Sequence, residues 1–211
     1  MMSFIFRRIL LFSGLLFIFA ACSGTPVHKI NYSHSYKPEM VKRVAILHFN
    51  RADNANMNTG IIVDKLTAAL VSAPSFKLVD RADIQKIYKE VGFQTAGEGA
   101  IDEKTKQVLK QLGADSIITG TAYSYVENRR SDGFILFSEV HLTAKLLKID
   151  TGEVLWSAEI LRNSKAKNVG QKKLIGGESE AFRASKMMDE IISDMGDSLC
   201  QKKSILDRLK I

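Results

Sequence analysis

Three consecutive β-strands, predicted between residues 116 and 160, constrain the fold of this chain more than any other feature. Residues 116–128 are rich in β-branched and aromatic side chains, which favour extended backbone. In 134–149 apolar and polar residues alternate, so that one face carries Phe134, Leu136, Val140, Leu142, Ala144 and Leu146. A third strand has Val154, Trp156, Ala158 and Ile160 on one face. Turns with glycine at 131–133 and 150–152 join the strands, which predicts an antiparallel meander.

The elements before and after the meander alternate between strands and helices. Residues 44–49 and 76–79 are short apolar runs of strand length, and each is followed by apolar residues at helical spacing. Asp80 can cap the helix that follows it, and Gly113 ends a third helix. A last amphipathic helix shares one apolar face: Ala184, Met188, Ile191, Met195 and Leu199. Because strands joined by helices run parallel, we predict a single α/β domain with a mixed parallel and antiparallel sheet and helices packed on it.

The amino terminus has the order of a secretory signal peptide. Arg7 and Arg8 precede an uncharged stretch at 9–21, and the small residues Ala20 and Ala21 stand directly before Cys22. A helix needs about 20 apolar residues to cross the hydrocarbon core, so this shorter stretch is predicted to be removed rather than to span the membrane.

Cys22 determines how the signal peptide is predicted to be processed. The run from Phe19 to Cys22 resembles a lipobox, with Phe19 where leucine is usual, which implies acylation of the thiol and cleavage before it. The alternative is cleavage by ordinary signal peptidase and release of a soluble protein. Ser23 and Gly24 lack the aspartate that retains lipoproteins in the inner membrane of enteric bacteria. The sequence therefore favours a lipid anchor in the cell envelope, on the periplasmic face of the outer membrane.

The predicted domain organisation follows from these patterns. Residues 1–21 are a lipoprotein signal peptide, and residues 22–41, polar and without periodicity, are the lipidated cysteine and a flexible tether. Residues 42–200 form the α/β domain, and residues 201–211 are a C-terminal tail.

No arrangement of residues indicates catalysis. The chain has no nucleophile elbow, phosphate loop, zinc pair or dinucleotide fingerprint. His141 falls on the polar face of its strand beside Glu139, Thr143 and Lys145, which favours a hydrogen-bonded or solvated imidazole over a catalytic base. We therefore predict no enzyme activity, no cofactor and no metal site. The formal charge of +7 is spread along the chain, and an exported protein rarely meets nucleic acid, so no nucleic-acid partner is expected.

A basic loop follows the meander at 163–178 and contains Lys165, Lys167, Lys172 and Lys173. A solvated loop is the simplest interpretation. The alternative is a contact between these four lysines and anionic lipid headgroups or cell-wall polymer.

Four segments in order resemble the family of CsgG, the curli assembly and transport component. They are the strand at 43–49, FKLVDRADIQKI at 76–87, LGADSIITGT at 112–121 and IDTGEVLW at 149–156. The resemblance extends over about 42–199 and implies a lipid-anchored, periplasm-facing α/β domain, which agrees with the architecture inferred from the residues.

Three functions remain open at this stage. The leading hypothesis is a non-enzymatic adaptor that contacts other proteins in envelope assembly or curli-type secretion. The resemblance also implies an oligomeric secretion channel, although residues 163–178 are too polar for a membrane hairpin. The third hypothesis is a regulator of a peptidoglycan synthase. The expected partners are the membrane, through the N-terminal lipid, envelope or secretion proteins, and further copies of the chain.

Overall fold

A computed structural model describes residues 27–71, 76–90, 103–164, 171–173 and 179–200. The elements, in chain order, are β1 (Val27–Tyr32), a 3-10 turn (Pro38–Met40), β2 (Arg43–Arg51), α1 (Gly60–Leu70), β3 (Lys77–Leu78), α2 (Arg81–Glu90), α3 (Glu103–Gln111), β4 (Ser116–Arg129), β5 (Ile135–Lys148), β6 (Val154–Asn163), β7 (Gln171–Lys173), β8 (Ser179–Ala181) and α4 (Ala184–Leu199). Among these residues, no helix has the length and apolar character needed to cross a membrane.

Six of the strands form one mixed sheet in the order β1-β6-β5-β4-β2-β3. The predicted meander is confirmed, because β4, β5 and β6 pair antiparallel in sequence order. The strands joined by helices are parallel as expected, with β2 between β3 and β4. Gly133 and Gly152, in the two predicted turns, have φ values of 87° and 69°, which glycine adopts without steric cost. The single α/β domain predicted from the sequence is confirmed.

Helices α1 and α4 cover one face of the sheet and enclose the larger core. All five residues of the predicted α4 face are buried, and they pack with Trp156, Leu142 and Ile118 from the strands. The methionines of α4 fill this core, as their helical spacing predicts. Half-buried Cys200 also packs there.

Hydrogen bonds and ion pairs attach α4 to the sheet at both ends. At its carboxyl end, the Tyr36 hydroxyl donates to the Leu199 carbonyl at 2.7 Å, and Trp156 Nε1 donates to Ser198 Oγ at 3.2 Å. At its amino end, the Ala184 amide donates to Glu127 Oε2 at 2.8 Å. Burial raises the pKa of Tyr36, so this hydroxyl keeps its proton and its role as donor.

On the opposite face of the sheet, the described helices cover only part of the width. Helices α2 and α3 supply Ile84 and Leu109 to a second, smaller core with Leu47, Ile117 and Ile149. Asp80 caps α2 as predicted, because its Oδ1 accepts the Ala82 amide at 2.7 Å. These two helices lie over the β3, β2 and early β4 side of the sheet.

The flexible tether predicted for residues 22–41 is wrong from Val27 onward. Val27–Tyr32 pairs antiparallel with β6 along its whole length, and Ile30 packs against the larger core. Tyr36 and Val41 are also buried. An edge strand of a sheet is half solvated, so its polar composition looks like that of a loop. The predicted signal peptide 1–21, Cys22 and the tail 201–211 lie outside the described residues.

Three one-residue register shifts interrupt the pleat that the alternation predicted. They lie between Ala122 and Ser124, around Leu136 and between Val154 and Trp156. Leu136, predicted to face the core, is 57% exposed, and Ile135 is buried in its place. Val154 is exposed and Leu155 buried for the same reason. A β-bulge inserts one residue into a strand and so reverses which side chains point inward.

Candidate partner-binding face

The half of the second sheet face that no described helix covers is the candidate functional surface. In an antiparallel ladder, directly paired residues point to the same side. The side opposite α1 and α4 therefore carries three rows across β4, β5, β6 and β1. The rows are Thr119, Lys145, Ser157, Asn31; then Thr121, Thr143, Glu159, Lys29; then Tyr123, His141, Leu161, Val27. We call these twelve residues the open face.

No described helix covers the open face. Every one of its residues is half-buried or exposed, whereas the residues directly behind it, among them Leu142, Ala144 and Ala158, are buried. The apolar side of these strands is thus covered by α1 and α4. The polar side carries no helix among the described residues.

Glu159 stands at the centre of the charged part of the open face. Its Oε2 lies 3.6 Å from Lys29 Nζ, and its Oε1 lies 3.4 Å from His141 Nε2. That nitrogen is buried and makes no hydrogen bond within the described residues. Because this nitrogen is buried beside the Glu159 carboxylate, a docked protein would contact the exposed parts of the Glu159 and His141 side chains rather than the nitrogen itself.

Tyr123 provides the large apolar contact beside this cluster. The bulge in β4 sets Tyr123 and Ser124 together opposite His141, and the rings of Tyr123 and His141 lie 5.0 Å apart at 32°. The tyrosine is 45% exposed despite this contact. Tyrosines of this kind are frequent hot spots in protein interfaces, because they bury much area with little loss of side-chain freedom.

The chemistry of the open face is that of recognition. A threonine-rich surface with one aromatic side chain and a single carboxylate offers hydrogen bonds and apolar area. Among the described residues, no group of three histidine, cysteine, aspartate or glutamate side chains could hold a metal ion. The interpretation of His141 as a residue of the polar face is confirmed by its neighbours Glu159 and Tyr123.

The site residues named from the sequence are separate from this face. Cys22, Lys165 and Lys167 lie outside the described residues. Lys172 and Lys173 fall in β7, a short strand paired with β8, and only their backbone is described. Acylation of Cys22 and the lipid contact of the four lysines stay predictions.

Sequence reasoning placed only His141, Thr143 and Lys145 of the open face on a polar surface. The alternation of β5 gave His141 and its neighbours, but Glu159 could have been found from its position between the buried residues Ala158 and Ile160. Lys29 could not, because the pairing of β1 with β6 joins residues far apart in the chain. Alternation does not predict the position of Tyr123 either, because the bulge in β4 sets which residues lie beside it.

Two similar solved structures with TM-scores above 0.5 confirm the fold alone. A PelC dodecamer from Paraburkholderia phytofirmans is 11% identical over 85% of this chain and 100% of its own, with a TM-score of 0.52. Lipoprotein GNA1162 from Neisseria meningitidis is 14% identical over 76% of this chain and 99% of its own, with a TM-score of 0.51. The C-terminal domain of LpoB from Salmonella enterica is 18% identical over 57% of this chain and 81% of its own, with a TM-score of 0.45. No curated protein matches the sequence.

The profile of the family described as peptidoglycan-synthase activator LpoB matches residues 31–160. The resemblance to CsgG is wrong, since no comparison supports it. Its ordered segments from 43 to 156 lie within the stretch that the LpoB family matches, and they encode strands and helices of the α/β fold. Of the three functional hypotheses, regulation of a peptidoglycan synthase is the one that this match supports, and the expected location at the periplasmic face of the cell envelope agrees with it. The chain belongs to the LpoB family of peptidoglycan-synthase activators.

Proposed function

We propose that this protein is a lipid-anchored, non-enzymatic activator that binds a peptidoglycan synthase through the open face. Membership of the LpoB family supports the activity. The open face is the surface on which we place the contact. An activator of this kind changes the conformational equilibrium of its partner by binding one state better than another. It therefore needs a stable contact surface and no catalytic group of its own.

The open face suits this role because it lies on a sheet that is packed from behind and leaves its polar side chains partly or fully exposed. Its strands are held from behind by the larger core, in which Trp156, Leu142 and Leu146 are fully buried. A surface on a packed sheet loses little conformational freedom on binding, which favours affinity. Tyr123, the His141 ring and the Glu159 carboxylate are the groups most able to distinguish one partner from another.

Tyr123→Ala is expected to weaken stimulation of the synthase. An aromatic hot spot contributes about 2 kcal/mol to binding, so half-maximal stimulation should need roughly 30-fold more protein. The measurement is glycan polymerisation by the purified synthase of the same organism, titrated with the full-length protein in detergent.

Tyr32→Ala is the matched control for this experiment. Tyr32 is 43% exposed, close to the 45% of Tyr123, but it pairs with Trp156 on the helix-covered side. We expect it to leave the titration unchanged. Equal stimulation by the Tyr123 variant and the wild type, at equal thermal stability, would remove the open face from the proposal.

The anchor and the assembly state complete the proposal. We place the chain on the periplasmic face of the outer membrane, with residues 1–21 removed, acyl chains on Cys22 and the folded domain following directly. The PelC structure is a dodecamer, and a homo-oligomer of this chain is a prediction that sedimentation of the detergent-solubilised protein would decide.

The four lysines of the basic loop are proposed as a second, weaker envelope contact. Replacing Lys165, Lys167, Lys172 and Lys173 with glutamine should reduce salt-sensitive binding of a non-acylated Cys22→Ala chain to anionic vesicles and to isolated cell wall. Each lysine near an anionic surface contributes about 1 kcal/mol.

A control with the same change of charge replaces Lys42, Lys77, Lys86 and Lys104, which are all exposed. Only the loop variant should lose binding. If both variants lose binding equally, net charge rather than the loop is responsible. If neither loses binding, the loop makes no envelope contact.

A further inference from the structure

Strand β1 begins at the end of the sheet where β4 and β5, the longest of the described strands, form their hairpin. Strand β1 begins at Val27, opposite Leu161, which pairs with His141 of β5. The β4–β5 hairpin continues beyond this row for six more residues, to the pair of Arg129 and Ile135. At about 3.4 Å per residue, the hairpin projects roughly 20 Å past the start of β1.

The stretch of chain between the domain and Cys22 is shorter than that projection. Cys22 and Val27 are five residues apart in the sequence, and even a fully extended chain covers at most about 18 Å over that distance. Because β1 runs away from the hairpin end, its first residue, Val27, is the one nearest to that end. If the opposite end of the sheet faced the membrane, the five-residue segment would have to span the whole length of β1. Even fully extended it would have no length to spare.

We propose that the tip of the β4–β5 hairpin, residues 129–136, rests on the surface of the same bilayer that holds the acyl chains of Cys22. The inference rests on the proposed acylation. With the anchor in the bilayer and Val27 no more than about 18 Å away, a hairpin about 20 Å long reaches the headgroup layer.

The side chains of the tip fit a headgroup layer. The bulge in β5 turns Leu136 outward, where it is 57% exposed. Arg130 lies over the Phe134 ring, 4.8 Å from its centroid, and pairs with Asp132, while Arg129 pairs with Glu127. The Arg130–Asp132 pair is exposed and therefore weak, so a lipid phosphate can replace Asp132 as the bidentate acceptor of the Arg130 guanidinium. Arg129, in contrast, stays bonded to half-buried Glu127. A leucine and a phenylalanine beside two arginines are typical of interfacial anchoring.

This contact would set the orientation of the whole domain. With the hairpin on the membrane, the strands of the sheet stand away from the bilayer and the open face points sideways. The surface proposed for the synthase then stays clear of the lipid that anchors the protein.

The test uses acylated full-length protein reconstituted into vesicles that contain phosphatidylglycerol and brominated lipid. Leu136→Trp and, in the turn, Ser131→Trp place a fluorophore at the tip, and the only native tryptophan, Trp156, is fully buried. Val154→Trp, an exposed position at the opposite end of the sheet, is the control. Tip tryptophans are expected to shift to the blue and lose emission to bromine, while the Val154 reporter keeps the emission that it has in unbrominated vesicles.

Two results would overturn the proposal. Both tip reporters could remain unquenched in protein whose intact mass confirms acylation, or the Val154 reporter could be quenched equally. A further variant, Leu136→Ser, separates lipid from protein: it should stimulate the synthase normally in detergent, and a loss there would assign the tip to the partner instead. The mass and the stimulation assay report separately on the anchor and on activation, so failure of either differs from failure of the membrane contact.

Discussion

Gly120→Ala is expected to lower the free energy of unfolding by about 3 kcal/mol or more, at the upper end of overpacking effects. A Cβ at this position would lie 2.0 Å from the Thr143 carbonyl oxygen and 2.5 Å from Phe49 Cε1. A phenylalanine ring can move, but Thr143 O belongs to the paired strand β5, and moving it disrupts the β4–β5 ladder. In a domain of this size such a loss lowers Tm by roughly 6–12 °C, which calorimetry or circular dichroism would measure.

Two further variants isolate the cause of this loss. Gly133→Ala places a methyl group where nothing lies within 4 Å, at a φ of +87°, so it reports only the conformational cost of a left-handed residue, about 1 kcal/mol. Phe49→Ala combined with Gly120→Ala should not restore stability, because the backbone clash remains. A Gly120→Ala protein as stable as the Gly133→Ala protein would show that the two strands can separate at little cost.

Nothing in the sequence indicates that Gly120 matters, and this marks the limit of prediction from pattern. Periodicity identified the meander and the buried face of α4, because each is a local repeat that one core enforces over several turns or residue pairs. It failed at Leu136 and Val154, where a single bulge reverses the alternation. Periodicity also failed to predict β1. An edge strand is half solvated, so it has no apolar run that would distinguish it from a loop.

The candidate surface was predictable to the same degree. The polar face of β5 follows from its own alternation, so His141 was placed correctly. Glu159 and Lys29 meet it only through strand pairings that span tens or more than a hundred residues of sequence. A contact of this kind depends on the order of strands in the sheet, which local composition does not encode. The family followed from the match over 31–160, whereas short motifs pointed to a different one.

Cys22→Ala is expected to move the protein from the membrane fraction to the soluble periplasmic fraction. Each buried methylene contributes about 0.8 kcal/mol, so the loss of two or three acyl chains removes far more affinity than the hairpin tip or the basic loop could replace. Ala20 and Ala21 still offer ordinary signal peptidase a cleavage site, and the variant should be exported and released. Labelling with radioactive palmitate, together with membrane sedimentation at high salt, would measure both consequences.

Cys200→Ala is the matched control, because Cys22 and Cys200 are the only two cysteines in the chain. Cys200 packs half-buried against the larger core, so its replacement should leave labelling and sedimentation unchanged. If the Cys22 variant were still labelled, or remained in the membrane pellet at high salt, the anchor would lie elsewhere. The short reach from Cys22 to Val27 would then no longer hold the hairpin against the bilayer, whereas the open face would keep its proposed role, since binding of the synthase there does not depend on the lipid.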